Sequence, residues 1–267
     1  MKEFKIRCSA IGEIMAGQIG LTEAQAKYRS ELLARTKPLT DKMQSDLADL
    51  NARFAQNELP QSAKTYCLNW IKEQLYQKRK DFSSKFTEKG ILMESEAIEF
   101  CSEQLGWGMV SKNTESFEDA FMTGEPDVIL GESVEDIKCS WDCFTFPLFH
   151  NDCDQAYYWQ LQGYMYLTGK KKAGVNYVLM DAPEQIVDIE SKREAYASGE
   201  MDVTTELWDS VCARMSYAGI DPKLRHKRYA IEFNQDAVNS VCERVELCRQ
   251  YIGRIMKTLE LEGVINS

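Results

Sequence analysis

The stretch Gly124–Trp141, GEPDVILGESVEDIKCSW, decides the fold. It sets five carboxylates and Lys138 on two short strand-like runs around one tight turn. A strand presents alternate side chains on one face, so Asp136 and Lys138 point the same way while Ile137 turns toward a core. A two-residue hairpin loop at Gly131 and Glu132 pairs the runs so that Asp127 falls directly opposite Asp136. A four-residue loop centred on the same pair keeps this register, and a three-residue loop breaks it.

Two carboxylates in cross-strand opposition repel each other unless something positive lies between them. A divalent cation is the natural occupant, and oxygen ligands from Asp side chains and a backbone carbonyl suit magnesium or manganese. A water polarised by such an ion can attack a phosphodiester. Lys138 would hold that water or offset the charge developing beside it. The competing reading is a surface hairpin with solvated acids, Lys138 making a cross-strand ion pair. Ile129, Val134, Ile137 and Cys139 weigh against it, because they mark these runs as sheet residues and buried opposed acids require compensation.

The chain has 267 residues, 44% hydrophobic and 28% charged, which is enough for one large domain or a domain with an appended lobe. No run of about 18 apolar residues occurs, and the N-terminal MKEFKIRCSAIGEIMAG lacks the apolar centre of a secretory signal. These features predict a cytoplasmic protein with no membrane span. Nine scattered cysteines and two histidines, without a C-x-x-C pair, read as reduced thiols rather than a zinc or iron–sulfur site. A net charge of -10 argues against a general basic coat for nucleic acid. Local basic clusters remain, at Gln77–Lys80 with Lys85 and Lys89, at Gly169–Lys172, and at Lys223–Arg228.

Around the opening stretch, residues 1–60 read as helical and polar, broken at Pro38 and Pro60. Ala63–Lys80 repeats apolar residues at helical spacing, a second helix follows over Glu88–Trp107 with Gly106 as its stop, and a short strand is expected at Met109–Lys112. An aromatic connection then leads to the helix QAYYWQLQGYMYLTG and the strand AGVNYVLMD. Strands alternating with helices imply a mixed α/β sheet flanked by helices. After Asn234, Val238, Val241, Val245, Cys248, Ile252, Ile255 and Leu259 keep a heptad pattern, which favours packing on the chain's own body over an intermolecular coiled coil.

EPD followed nine residues later by DIK resembles the PD-(D/E)xK nuclease signature. With KGILMESEA before it and YYWQLQGYMYLTG after it, the ensemble resembles the lambda-exonuclease or YqaJ-like viral recombination nucleases, over roughly residues 5–180 and loosely through LRHKRYAIEF. The resemblance implies an α/β restriction-endonuclease-like core with helical N- and C-terminal additions: one nuclease domain over 1–267, divided into a helical N-terminal region (1–85), a catalytic core (86–182) and a helical extension (183–267). It implies that Glu94, Asp127 and Asp136 with the Ile137 carbonyl hold magnesium, that manganese can substitute, that Lys138 is the catalytic lysine and that Gln160 is an orienting residue. RCSAIGEIMAG resembles the family's terminal-phosphate segment, which makes Ser9 and Arg7 candidates for the DNA 5′-phosphate; Ser9 also reads as a helix cap. Gln160 and Tyr164 share one helix face, with Tyr164 read as core. Trp141, Phe144, Phe146 and Phe149 read as core or interface, with base stacking as the alternative.

The implied activity is digestion of linear double-stranded DNA from a 5′ end to expose single strands for recombination, as in phage. The implied partners are DNA ends, a single-strand annealing recombinase and further copies of the chain in a ring-shaped trimer, with the clusters Lys78–Lys89 and Lys223–Arg228 as candidate channel lining. A structure-specific endonuclease or nickase, or a silent DNA-end-binding module, is the alternative on the same fold.

Overall fold

The hairpin at the opening stretch forms with the expected register. Leu130 N–H donates to Ser133 O at 2.8 Å, closing a two-residue loop at Gly131 and Glu132. Val128 pairs with Glu135 and Ile129 with Val134, antiparallel. Continued by one residue, this register sets Asp127 across from Asp136. The computed structural model describes residues 2–17, 20–55, 58–80 and 84–265.

Two compact units share the chain. One comprises residues 81–118 and 124–234 and the other residues 1–80, 119–123 and 235–267. The first is built on a mixed sheet in the order Val128–Ile129, Ser133–Cys139, Lys172–Val178, His226–Glu232. The middle pair is parallel and the outer pairs antiparallel. Helix Gln155–Thr168 links the parallel strands; Asp154 caps its start by accepting from Ala156 N–H, and Gly169 ends it at φ +71°, a conformation open to glycine. On the other face, Ala97 and Cys101 of helix Glu94–Leu105 pack on Ile137, Cys139 and Val178. This is the mixed α/β sheet flanked by helices that the sequence implies.

Both faces of the central strands are therefore covered, and the face that bears Ile137 and Cys139 also holds a buried polar network. Glu135, only 1% exposed, receives Ser133 Oγ, Asn176 Nδ2 and a fork from Arg228 Nε and Nη2, all at 2.8–3.0 Å. Glu135 and Arg228 stand on strands either side of Lys172–Val178 and meet over Gly174. A Cβ at Gly174 would lie 2.1 Å from Glu135 Oε2 and 2.5 Å from Arg228 Nε, so only glycine leaves room for the pair.

Several elements differ from expectation. The helix expected over Glu88–Trp107 breaks at Met93 into Lys85–Leu92 and Glu94–Leu105, while Gly106 ends the latter as foreseen. Met109–Lys112 forms no strand: Met109 is fully exposed and Asn113 makes one backbone bond to Asp127 O, too little for a ladder. The segment 183–267 contributes helices and also the strand His226–Glu232.

In the other unit, Ile6 and Arg7 pair in parallel with Met122 and Thr123. Helix Glu23–Leu33 opens with a capping box between Thr22 and Gln25 and shares the Leu21, Leu32 and Leu50 cluster with helix Asp41–Ala55. The heptad residues Val238, Val241, Val245, Cys248 and Ile252 of helix Gln235–Leu261 are buried, and the helix packs on helices Ile11–Met15 and Gln61–Tyr76 of the same unit. The seam serves the chain's own body, as read from the sequence. No described helix is long and apolar enough to cross a membrane.

Gly174→Ala is expected to lower stability by about 3–5 kcal/mol, the cost of breaking a buried ion pair. Urea unfolding measures it. A loss below about 1 kcal/mol would show that the Glu135–Arg228 fork shifts aside freely.

Candidate active site

The acids are assembled by the hairpin and the helix behind it. Asp136, 1% exposed, points from strand Ser133–Cys139 toward helix Gln155–Thr168. Its Oδ1 accepts from Gln160 Nε2 at 2.8 Å, and the same amide donates to the Tyr164 hydroxyl at 3.1 Å. Its Oδ2 has Lys138 Nζ at 2.8 Å as an ion-pair contact, with no donor directed at it in hydrogen-bond geometry. Asp127 Oδ2 accepts from Ile137 N–H at 2.7 Å. Asp127, Asp136, Lys138 and Gln160, separated by up to 33 positions in the chain, thus form one connected group.

The electrostatics follow from this crowding. Burial raises the Asp127 carboxyl most, the Asp136 charge raises it further, and Lys138 with the Ile137 N–H only partly offsets them, leaving it at about 7. For Lys138, burial opposes the charge, but Asp136 and Asp127 together raise its pKa above the ordinary lysine value. The ammonium also sits 4.7 Å above the Tyr157 ring. One ammonium therefore faces two acids, Asp136 on its strand and Asp127 just before the paired residues.

Glu94 opens helix Glu94–Leu105 and lines, with Asp127, Ile137, Lys138, Tyr157 and Tyr177, a cleft of about 620 Å³. It is held there by Lys112 at 2.7 Å, a partner that sequence spacing did not point to, because Lys112 lies in an irregular segment. Among the described residues, no three His, Cys, Asp or Glu side chains are gathered closely enough to hold a metal ion. The donor chemistry still fits a hard cation. Asp127 and Asp136 are facing carboxylates, one with a buried oxygen lacking a directed donor, and magnesium completes its shell with water. Such an ion would be held by Asp127 and Asp136 with the Ile137 carbonyl, and Glu94 would join by releasing Lys112.

Arg7 and Ser9 belong to the other unit of the chain. Arg7 Nη2 is paired with Glu73 Oε2 at 3.1 Å, and Ser9 is exposed without a capping bond. The aromatic quartet divides: Trp141 and Phe146 are core, while Phe144 and Phe149 are exposed. Two of the basic clusters are surface only in part: Lys78, Arg79, Lys80 and Lys223 are exposed, while other members are engaged within the fold. Lys89 is fully buried, Arg228 forks to Glu135, Arg225 Nε donates to Leu179 O and Lys227 Nζ donates to Leu148 O. Hydrogen-bond demand from backbone carbonyls and a buried carboxylate has drawn these cations inward.

No family model matches the chain, and no curated protein matches it. Solved structures do. It is similar to a phage related exonuclease from Haemophilus somnus 129PT, with a TM-score of 0.68 at 24% identity over 97% of each chain. It is also similar to an alkaline exonuclease from Laribacter hongkongensis, with a TM-score of 0.57 at 12% identity over 97% of this chain and 93% of that one. The structure of the Laribacter enzyme in complex with dAMP gives 0.58. At such identities the likeness is one of fold: the chain has the mixed α/β architecture, a central sheet flanked by helices, of these exonucleases.

Without metal, the folded chain keeps a proton on Asp127 up to about pH 7, whereas an unfolded Asp releases it near pH 4. The stability tied to that proton is complete below about pH 4 and is lost as pH rises to about 7. Asp127→Asn should therefore exceed wild type in stability by on the order of 2–4 kcal/mol at pH 8 in chelator, with the gap closing toward pH 4. Urea titrations across this range measure the gap. A gap independent of pH would place the proton elsewhere.

Proposed function

We propose that this protein is a divalent-cation-dependent deoxyribonuclease acting as an exonuclease on linear double-stranded DNA. The observation that carries the reading is the pair Asp127 and Asp136 with Lys138 Nζ 2.8 Å from the second acid, at the edge of a cleft lined in part by Glu94 and Asp127. A fold shared with two exonucleases supports it. A bound magnesium or manganese ion would supply an activated water and charge neutralisation at the scissile phosphate.

The chain's own residues divide the remaining work. Asp127, Asp136 and Glu94, with the Ile137 carbonyl, are the cation ligands. Gln160 fixes the rotamer of Asp136 through its amide on Oδ1, so that Oδ2 stays turned toward Lys138. Lys138 keeps its proton at neutral pH and offsets negative charge that gathers on the phosphate oxygens. The reading extends, on the sequence resemblance, to 5′-to-3′ digestion, to a 5′-phosphate contact from Ser9 and Arg7, to a ring-shaped trimer around the duplex, and to a single-strand annealing recombinase that receives the product strand. Arg7 would have to exchange Glu73 for the phosphate.

Asp136→Ala and Lys138→Ala are each expected to stay folded and to lose at least about 100-fold in cleavage rate, the scale of removing one preorganised charge. End-labelled linear, nicked and closed-circular duplexes, incubated with magnesium, read both the loss and the mode of attack. Near-normal cleavage by either folded variant would remove the assignment. Cutting of closed circles by wild type would replace the exonuclease with an endonuclease on the same site.

Calcium is expected to bind yet support little turnover, because its looser and larger coordination shell positions a water less strictly than magnesium does. Equal rates with the two ions would remove the magnesium assignment for Asp127, Asp136 and Glu94.

A further inference from the structure

Lys89 carries more than its place in a basic cluster implied. It is 0% exposed, and its ammonium donates to three backbone carbonyls: Ser140 O at 3.1 Å, Trp141 O at 2.9 Å and Met180 O at 2.8 Å. An ammonium has three donors, so its capacity is filled by main chain alone. Burial lowers its pKa to about 8, with Cys139, Asp142 and Asp181 opposing the fall, so at neutral pH these bonds are charge-assisted.

The three acceptors lie where two parallel strands end. Ser140 and Trp141 directly follow strand Ser133–Cys139, which holds Asp136 and Lys138, and Met180 follows strand Lys172–Val178. Lys89 itself stands on helix Lys85–Leu92, whose Phe86, Thr87, Gly90 and Ile91 line the cleft and whose end leads through Met93 into Glu94. Met93 N–H donates to Lys89 O at 3.0 Å, tying the start of the Glu94 helix to the same residue. One side chain thus connects the helical segment bearing Glu94 to the strand end bearing Asp136, Ile137 and Lys138.

We propose that Lys89 is a positioning residue that sets the separation between Glu94 and the Asp127–Asp136 pair and thereby the affinity of the site for a divalent cation. The inference rests on the reading of those acids as a cation site. Lys89 touches neither substrate nor ion; it acts through the backbone it clamps. Loss of such an outer support lowers metal affinity by about 10–100-fold in comparable sites.

The test is equilibrium binding of Mn²⁺ alone to the full chain, read by electron paramagnetic resonance of the free ion, with thermal unfolding alongside. Lys89→Met removes all three donors at similar length and is expected to raise the Mn²⁺ dissociation constant about 10–100-fold. Lys89→Gln, which keeps two donors, should fall between Met and wild type, and it carries the same comparison if Lys89→Met fails to fold. Ile231→Ala, a core truncation in the same unit but outside the clamp, should lower the melting temperature and leave Mn²⁺ affinity unchanged. A folded Lys89 variant with wild-type affinity would overturn the inference, and so would an equal loss in Ile231→Ala. Asp136→Ala in wild-type background separates the two readings. If removing Asp136 leaves Mn²⁺ binding intact, the acids are not the cation site and this inference falls with that reading; if Asp136→Ala abolishes binding and Lys89→Met does not weaken it, only the role of Lys89 fails.

Discussion

The buried fork between Glu135 and Arg228 is the constraint on which the site depends. It spans three strands, because Gly174 of the intervening strand has no side chain to stand in its way. Asn176 and Ser133 complete the coordination of the carboxylate. Pairs of this kind add little net stability over apolar packing, since desolvation offsets attraction, but breaking one strands a charge in the interior. Here the gain is register. A slip of one residue in strand Ser133–Cys139 would turn Glu135 toward helix Gln155–Thr168 and Asp136 toward helix Glu94–Leu105. Because Glu135 has satisfied partners only on its own face, Asp136 and Lys138 are committed to the other.

On that other face the balance is deliberately poor. Asp127 and Asp136 share one ammonium, and Asp127 is pushed well above the usual carboxylate range. The surrounding polar contacts hold this arrangement without neutralising it: Gln160 supplies a dipole to Asp136 and Ile137 N–H a dipole to Asp127. A chain optimised for stability alone would replace one acid with an amide. Local conflict enforced by a well-satisfied neighbouring network marks this face as the candidate functional site of the fold.

The sequence revealed this pair because the information was local. A two-residue loop and a period of two are enough to bring Asp127 toward Asp136, and Gly106 and the heptad seam after Asn234 are likewise read within a few residues of where they act. What stayed hidden was non-local. Strand His226–Glu232, inside a segment expected to be helical, pairs along its whole length with Lys172–Val178, and its Arg228 reaches a carboxylate 93 positions earlier while Tyr229 donates to the His150 carbonyl at 2.8 Å. Lys112 meets Glu94 from a segment with no regular structure. Lys89 lies in a run of surface-like charges, and only the strand ends 51 to 91 positions away make it interior. Met93 breaks a helix that periodicity alone continues, since Lys89 and Glu94 face different tasks on either side of it.

That inward use of cations bears on how an acidic chain would hold DNA. With a net charge of -10, the chain has few positive groups in excess of its acids anywhere, and Lys89, Arg225, Lys227 and Arg228 are engaged with carbonyls, an aromatic ring or a buried carboxylate. Lys138 faces two acids as well. Affinity for duplex through counterion release scales with the number of phosphates neutralised, so little of it comes from these residues. Each exposed cation that remains therefore carries a larger share, among them Lys72, Lys78 and Arg79 around a cavity of about 340 Å³ in the other unit. On this allocation of charge, contact with a polyanion falls to the few cations that keep their charge at the surface rather than to a general basic coat.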